Sequence, residues 1–564
     1  MKRFLSKNAP LLSTLLFGIA VFLFWRIRYP FALTYQEQFQ LFLFDDDYFC
    51  SRMAEPGGLA RYMAEFLVQF YNGVTYGALI LAFLYMLVQR LTWRLMRSEG
   101  HYALSFIPSV LLWYAMGDES VMLTYVVALL IAMAIAWGWR SWSEKWSQWV
   151  RWIVALLLIP VVYWLIGPMV LLVALLMMPW TITVATLLYS LGLILLSAHY
   201  LPFPMLRTVL GISYYRFPIM LPYLLMVIPV VVWLMADFIK FLPQTKRWVN
   251  VTETLLVLVA IAFLVDLGYD KKKYELIEYD YLVRIRDWKG IIAKAEKQMP
   301  DLPMSVSATN LALAMTNQLG DRAFEFYQRG TQGLFPKFER NFANSQLTGE
   351  IYFHLGMINT AQRLAFESME AIPNYNKSAR AVKRLAETNI INGQYKIAEK
   401  YLRMLEKTIF YRPWAKQMMA ILGNEKAINE HPLYGTLRQY KLPKDVLFSD
   451  GELDHICGLL FLHHQQNLMA AQYLLMMPLL DRDIELFMAY VKVVQNRIQY
   501  NPRSCQEAIA FAFMRQGQRP PQGFVSQIIL QQMDRFAGIY SSDKTSPELN
   551  GFKNTLWYYL MLGK

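Results

Sequence analysis

Apolar residues run almost unbroken through eight stretches between Leu11 and Val265, whereas from Asp270 to Lys564 they alternate with charged residues at helical spacing. The stretches are Leu11 to Trp25, Gly73 to Val88, Ala103 to Met116, Val121 to Trp139, Trp152 to Ile166, Pro168 to His199, Ile219 to Ile239 and Thr252 to Val265. Runs of this kind predict helices that cross a bilayer, because a helix satisfies its own backbone hydrogen bonds where no water can. The breaks Gly167-Pro168 and Pro179-Trp180 let Trp152 to His199 form two long helices or three short ones, so eight or nine spans are expected. Met1 to Arg28 begins like a signal peptide but carries no small-residue cleavage site, and reads as a retained first span.

The later half shows Tyr/Leu/Ala-rich amphipathic patterns and none of the alternating β-branched runs of strands. It also repeats. Gly356, Ala361 and Pro373 hold the offsets of the small and helix-ending positions of a tetratricopeptide (TPR) unit, and Gly393, Tyr395, Ala398 and Leu402 recur before Pro413. Weaker copies lie at Arg286 to Pro300 and Leu319 to Tyr327. The expected fold class is therefore all-α, a polytopic transmembrane bundle over residues 1–269 followed by a soluble TPR-like α-solenoid over 270–564.

Composition agrees: 56% hydrophobic residues and a mean hydropathy of +0.26 exceed what a soluble core of this size needs. The net charge of +13 divides into 18 Lys and Arg against 14 Asp and Glu before Lys271, and 37 against 28 from there on. Neither half carries a dense basic stripe with interleaved aromatics, which excludes nucleic acid as the expected partner and leaves membrane lipids. Cys50, Cys457 and Cys505 are too few and too scattered for a disulfide framework.

Basic clusters orient the bundle under the positive-inside rule. Lys2, Arg3 and Lys7, then Arg90, Arg94 and Arg97, then Arg140, Lys145 and Arg151 mark cytoplasmic loops, so the loop over 26–72 and the turn at Asp118-Glu119 face outward. Lys240, Lys246 and Arg247 favour nine spans, whereas Arg207, Arg216 and Lys271 to Lys273 favour eight. Nine is the adopted reading, which puts the later half in the compartment of the acidic loops, the periplasm of a bacterial inner-membrane protein.

The outward loops hold the candidate chemistry. Glu37 and Asp45 to Asp47 lie in the first, followed by Pro56-Gly57-Gly58 and a surface helix over Leu59 to Tyr71 whose apolar face is Leu59, Tyr62, Met63, Phe66, Leu67 and Phe70. Carboxylates held at the interface opposite Asp118-Glu119 suit a hard divalent cation such as Mg or Mn through oxygen ligands, which would neutralise a lipid diphosphate leaving group while a carboxylate activates an acceptor. Against this stands the plain reading of loop acids as solvated.

The stretch Phe44 to Arg52 resembles the first-outer-loop motif of the GT-C oligosaccharyltransferases, with Asp46, Tyr48, Phe49 and Arg52 at matching positions. Asp118-Glu119 resembles that family's second acidic motif. The resemblance implies transfer of a sugar or oligosaccharide from a polyprenyl-linked donor to an acceptor protein or glycan presented by the TPR-like half. Asp46 would be the principal acid and a metal ligand with Asp118 and Glu119; Arg52 would meet a phosphate or the acceptor. Asp47, Tyr48 and Phe49 would contact substrate, and Glu37 is a further catalytic candidate. The later half contains no Trp-Trp-Asp motif and the outer loops no Ser-Val-Ser-Glu, which departs from the family. The whole chain also resembles an uncharacterised family of bacterial multi-pass proteins with helical-repeat tails, and the alternative expectation is a non-catalytic, membrane-anchored scaffold for envelope assembly or secretion.

Smaller signals remain. His455, Cys457 and His463-His464 form a weak metal candidate, since adjacent histidines face different sides of a helix. Asp237 and Asp266 fall at the ends of apolar spans, and Pro202-Phe203-Pro204 with Tyr214-Tyr215-Arg216 make an aromatic loop suited to a lipid tail.

Overall fold

The computed structural model describes residues 2–97, 100–211, 215–216, 223–242, 247–337, 342–372, 376–444 and 450–563. Tyr214, Ile219, Lys246 and Pro373, singled out above, lie outside them. Among the described residues the regular structure is helical, with isolated bridges only at Val121 with Arg216 and at Arg329 with Thr331. The chain forms two compact units: Met1–Tyr274 with Ile372–Ala379 and Met404–Pro413, and Glu275–Ala371 with Arg380–Arg403 and Trp414–Lys564.

The first unit contains α1 (Lys2–Leu23), α2 (Pro30–Glu37), α3 (Asp46–Met53), α4 (Gly58–Val68), α5 (Val74–Met96), α6 (Ile107–Ala115), α7 (Leu123–Trp142), α8 (Gln148–Ile166), α9 (Val170–Leu176), α10 (Trp180–Ala198), α11 (Met205–Leu210), α12 (Tyr223–Phe238) and α13 (Arg247–Leu267). Among the described residues, seven helical stretches are long and apolar enough to cross a membrane: Ala9–Arg28, Val74–Met96, Leu123–Lys145, Gln148–Leu176, Trp180–Ala198, Tyr223–Phe241 and Trp248–Leu267. The expected span at Ala103 to Met116 is instead a shorter apolar helix, Tyr102–Ala115.

Side-chain contacts identify the two ends of this bundle. At one end the Tyr215 hydroxyl donates to Ile166 O at 2.6 Å, the Trp164 indole to Met53 O at 2.9 Å and the Tyr125 hydroxyl to Leu225 O at 2.8 Å. At the other, Arg140 donates from Nε to Leu176 O at 2.9 Å and from Nη2 to Asp237 at 2.5 Å, and His101 Nδ1 lies 2.5 Å from Glu253. The chain reaches the first end at Ile166, turns at Gly167 with φ +66°, and returns along α9 to Leu176 beside Arg140. Traced this way, the described helices pass between the ends nine times, two of the passages being Tyr102–Ala115 and α9. A bilayer core needs about twenty helical residues, so neither crosses it alone. Both are shielded by protein: Val110, Leu112, Trp113, Val170, Leu172 and Val173 are buried, whereas α13 exposes Leu255, Leu256, Val259 and Phe263.

In the second unit, α14 (Lys271–Arg284, its first turn in the first unit) precedes the antiparallel pairs α15 (Trp288–Lys297) with α16 (Pro303–Met315) and α17 (Phe342–Leu355) with α18 (Ile358–Glu370). α19 (Ala379–Ile391), α20 (Tyr395–Glu406), α21 (Leu453–His463), α22 (Leu468–Leu480) and α23 (Ile484–Gln495) follow. Short polar caps start several helices: Asp287, Asn467 and Asp483 each accept from the backbone N–H three residues on. Gly356, at φ +92°, ends α17, and a Cβ there would come within 2.7 Å of Tyr440. Ala361, Ala398 and Leu402 are fully buried.

The core of this unit also contains charge. Glu350 accepts from Arg384 at 2.5 Å, Arg380 donates to Asp280 at 2.8 Å, and Arg384 lies 3.0 Å from Glu387. Burial opposes the Glu350 charge, but Arg384 and Arg380 outweigh it and hold the carboxyl down at about 2. Burial also keeps His354 neutral, with its pKa lowered to about 3, so its 3.7 Å approach to Glu350 is no ion pair at neutral pH.

Candidate functional site

The first loop begins at α2, where the Tyr411 hydroxyl donates to both oxygens of buried Glu37 at 3.0 and 3.2 Å. Two backbone bonds then fix the extended segment after it: Leu41 N–H donates to Lys377 O at 3.0 Å and Phe44 N–H to Lys407 O at 2.8 Å. Asp45, in extended conformation, precedes α3 and pairs with Lys407 at 2.8 Å. Asp46 and Asp47 occupy the exposed first turn of α3, where a carboxylate complements the positive end of the helix.

The turn between α3 and α4 is steric in origin. Gly57 has φ +86°, and a Cβ on Gly58 would sit 2.2 Å from Arg52 O. That close approach lays α3 against α4 and brings positions 48 and 52, one helical turn apart, onto positions 61 and 65 of the other. Arg52 Nε donates to Glu65 at 2.7 Å, Arg61 Nε donates to the second oxygen of Glu65 at 3.1 Å, and the Tyr48 hydroxyl donates to Glu65 as well. The Arg52 guanidinium lies 4.6 Å from the Tyr48 ring centroid. Arg52 and Arg61 then share one acceptor, Asn376 Oδ1, at 3.2 and 2.7 Å.

Glu65 is only 1% exposed, and the two arginines 13% and 11%. Burial, then the Glu65 carboxylate, hold the Tyr48 phenol well above its usual range, so it stays a neutral donor. Burial works against the Arg52 charge, but Glu65 and then Tyr48 outweigh it and raise its pKa. Beside this cluster opens a cavity of about 390 Å³, lined by Leu41, Leu43, Tyr48, Ser51, Arg52, Glu55, Arg61, Phe203 and Lys377.

The sequence-derived residues divide. Tyr48 and Arg52 line the cavity; Asp46, Asp47 and Phe49 do not, and Phe49 packs its ring at 5.1 Å on Tyr62. Asp118 accepts from Arg216 Nε and Nη2 at 2.8 and 2.6 Å, and Glu119 pairs with Lys273 at 2.8 Å. Gln36 reaches the carbonyls of Glu119 and Val121 at 3.5 and 3.3 Å, so α2 and the acidic turn adjoin. Among the described residues no three carboxylate, imidazole or thiolate groups gather to hold a metal ion, so Asp46, Asp118 and Glu119 are not assembled as the expected ligand set. The same holds for His455, Cys457, His463 and His464. Asp266 is exposed on α13.

Three participants escaped the sequence reading: Glu65, Arg61 and Asn376. A signal for the first two exists, since Arg61 and Glu65 stand at i and i+4 in an otherwise apolar helix. The expected apolar face of α4 is only half-covered, with Met63 42% exposed, while the packed face is Ala60, Ala64, Glu65 and Val68. Small side chains there let α4 approach α7 and α8.

Helices of this length and apolarity, carrying an arginine-lined cavity at one end, define a multi-pass membrane protein. More specifically, the chain belongs to a family of unknown function (DUF6057), which matches it over residues 7–563. No curated protein and no solved structure matches the chain.

Proposed function

We propose that this protein transfers a sugar or oligosaccharide from a polyprenyl-linked donor at the outward face of a bacterial inner membrane, in the manner of GT-C enzymes. The supporting observation is that Tyr48 and Arg52, the aromatic and the arginine of the resemblance, line one cavity with the apolar Leu41, Leu43 and Phe203. A lipid-linked donor presents both chemistries, an anionic phosphate and a hydrocarbon tail. In the reaction an acceptor oxygen or nitrogen attacks the sugar's anomeric carbon and the bond to the donor phosphate breaks. The acceptor proton passes to a carboxylate, for which exposed Asp46 is the candidate, and polyprenyl diphosphate leaves with its electron pair. A divalent cation held by Asp46 with Asp118 or Glu119 would need Asp118 to release Arg216 and Glu119 to release Lys273.

The helix pairs of the second unit, with Gly356 and Gly393 both at positive φ between helices, support a TPR-like platform for an acceptor. They equally support the second reading, a membrane-anchored scaffold, which is favoured by the fact that Glu37, Asp118 and Glu119 are all engaged by protein partners. Asp46→Asn separates the two. Loss of glycan transfer in cells, with the protein still inserted in the membrane, is expected of the enzyme; unchanged glycosylation overturns it.

A further inference from the structure

We propose that the cavity beside Tyr48, Arg52, Arg61 and Lys377 is a phosphate site that takes the phosphate or diphosphate of a lipid headgroup through nitrogen donors and needs no divalent cation. This deepens the reading above and rests on it only for the identity of the attached lipid.

A buried Arg–Glu–Arg cluster has an ordinary structural explanation, since it ties α3 to α4, and such clusters add little net stability. Two features go beyond that. Arg52 spends Nε on Glu65 and Nη2 on Tyr48 and Asn376, which leaves Nη1 with no hydrogen-bond partner among the described residues. Lys377 is exposed on the same cavity wall, and no carboxylate among the described residues pairs with it. Of the charged groups at the cavity, Glu65 is shared by both arginines and Glu55 lies 3.7 Å from Arg61. Among the described residues, three cations, Arg52, Arg61 and Lys377, line or border the cavity with two carboxylates, Glu55 and Glu65, an excess of one positive charge. The cavity of about 390 Å³ lies within the range of roughly 300–1,000 Å³ typical of small-molecule sites.

Glu65 is the positioning residue. By accepting from Nε of each arginine it fixes both guanidinium planes, and holds Arg52 Nη1 as a charge-assisted donor suited to a phosphate oxygen. Asn376 completes the arrangement. Its oxygen accepts from both arginines. Guanidinium and ammonium groups neutralise phosphate as a metal ion would.

The full chain, purified in lipid nanodiscs with EDTA present, is titrated with inorganic pyrophosphate and, separately, loaded with polyprenyl diphosphate. Binding in EDTA is expected, weakened by about tenfold in Lys377→Gln, the loss of one charge-assisted hydrogen bond. Lys377 is exposed, so the variant keeps the wild-type melting temperature, and that measurement accompanies the titration. Arg61→Lys, which keeps the charge but loses the fork, is expected to weaken binding with the protein still folded. Tighter capture of the lipid than of pyrophosphate assigns the lipid as source; equal affinity assigns free phosphate to the same donors. Absence of binding by folded wild type, abolition by EDTA, or indifference to both substitutions overturns the proposal. Binding that persists while Asp46→Asn leaves glycosylation unchanged overturns the transfer reading alone.

Discussion

Arg52 donates to Asn376 at 3.2 Å although 324 positions of chain separate them. The bond lies within one compact unit, because Ile372–Ala379 belongs with the membrane-spanning half. A short stretch from late in the chain is thereby part of the cavity wall, and Arg61 doubles the link at 2.7 Å.

Glu65→Gln removes the shared counter-charge of the two guanidinium groups in a nearly buried setting, leaving Arg61 with only Glu55 at 3.7 Å. Loss of one partner from such a cluster costs on the order of 2–3 kcal/mol, reduced from the fully buried case because both arginines keep some solvent. Thermal unfolding in detergent is expected to show a clear drop in midpoint, and Glu65→Asp to recover part of it.

Gly58→Ala is expected to damage the site without touching any charged group. The new methyl would press on Arg52 O, which it would otherwise approach to 2.2 Å, so α3 has to move. The cost is about 1–3 kcal/mol, as for overpacking elsewhere. Pyrophosphate affinity should fall more than stability does, because the displaced residue is Arg52 itself.

Acid should loosen the second unit in two overlapping steps. His354 is held at about 3 in the folded chain against 6.5 when free, so the unfolded chain binds the extra proton between those values. Its contribution is complete above pH 6.5 and is lost as pH falls, at up to roughly 1.4 kcal/mol per pH unit. Glu350, lowered from 4.5 to about 2, adds the same sign of slope further down. Hydrogen exchange across α17–α19 is expected to accelerate below pH 6, and His354→Gln to flatten the upper part of that profile.

Thiol labelling checks the tracing of the bundle. Cys50 is exposed, whereas Cys457 and Cys505 are buried. A membrane-impermeant maleimide added outside intact spheroplasts should label Cys50 and no other cysteine. Labelling of Cys50 only after the membrane is broken would reverse the assigned orientation.

Much of the architecture was legible because its cause is local. Unbroken apolar runs give the long helices, and the Gly167-Pro168 break marks the reversal before α9. The length of Tyr102–Ala115 was not legible, since a short helix shielded by neighbours has the same composition as one facing lipid. For the site, Tyr48 and Arg52 were found from their place in a motif, but Glu65 and Asn376 were not. A lone carboxylate in an apolar helix is informative only once the arginines facing it are known, and an asparagine hundreds of positions away carries no local signature at all. The acidic residues drew attention because they cluster in sequence; in space Asp118 and Glu119 are neutralised by Arg216 and Lys273, which lie far along the chain.

The distance in sequence between Arg52 and Asn376 is also a distance in time. Ribosomes add roughly 5–20 residues per second, so a nascent chain carries two unclasped arginines for roughly a quarter of a minute to a minute before the asparagine emerges. The cavity wall, which includes Lys377, is thus completed only once translation has passed residues 376 and 377.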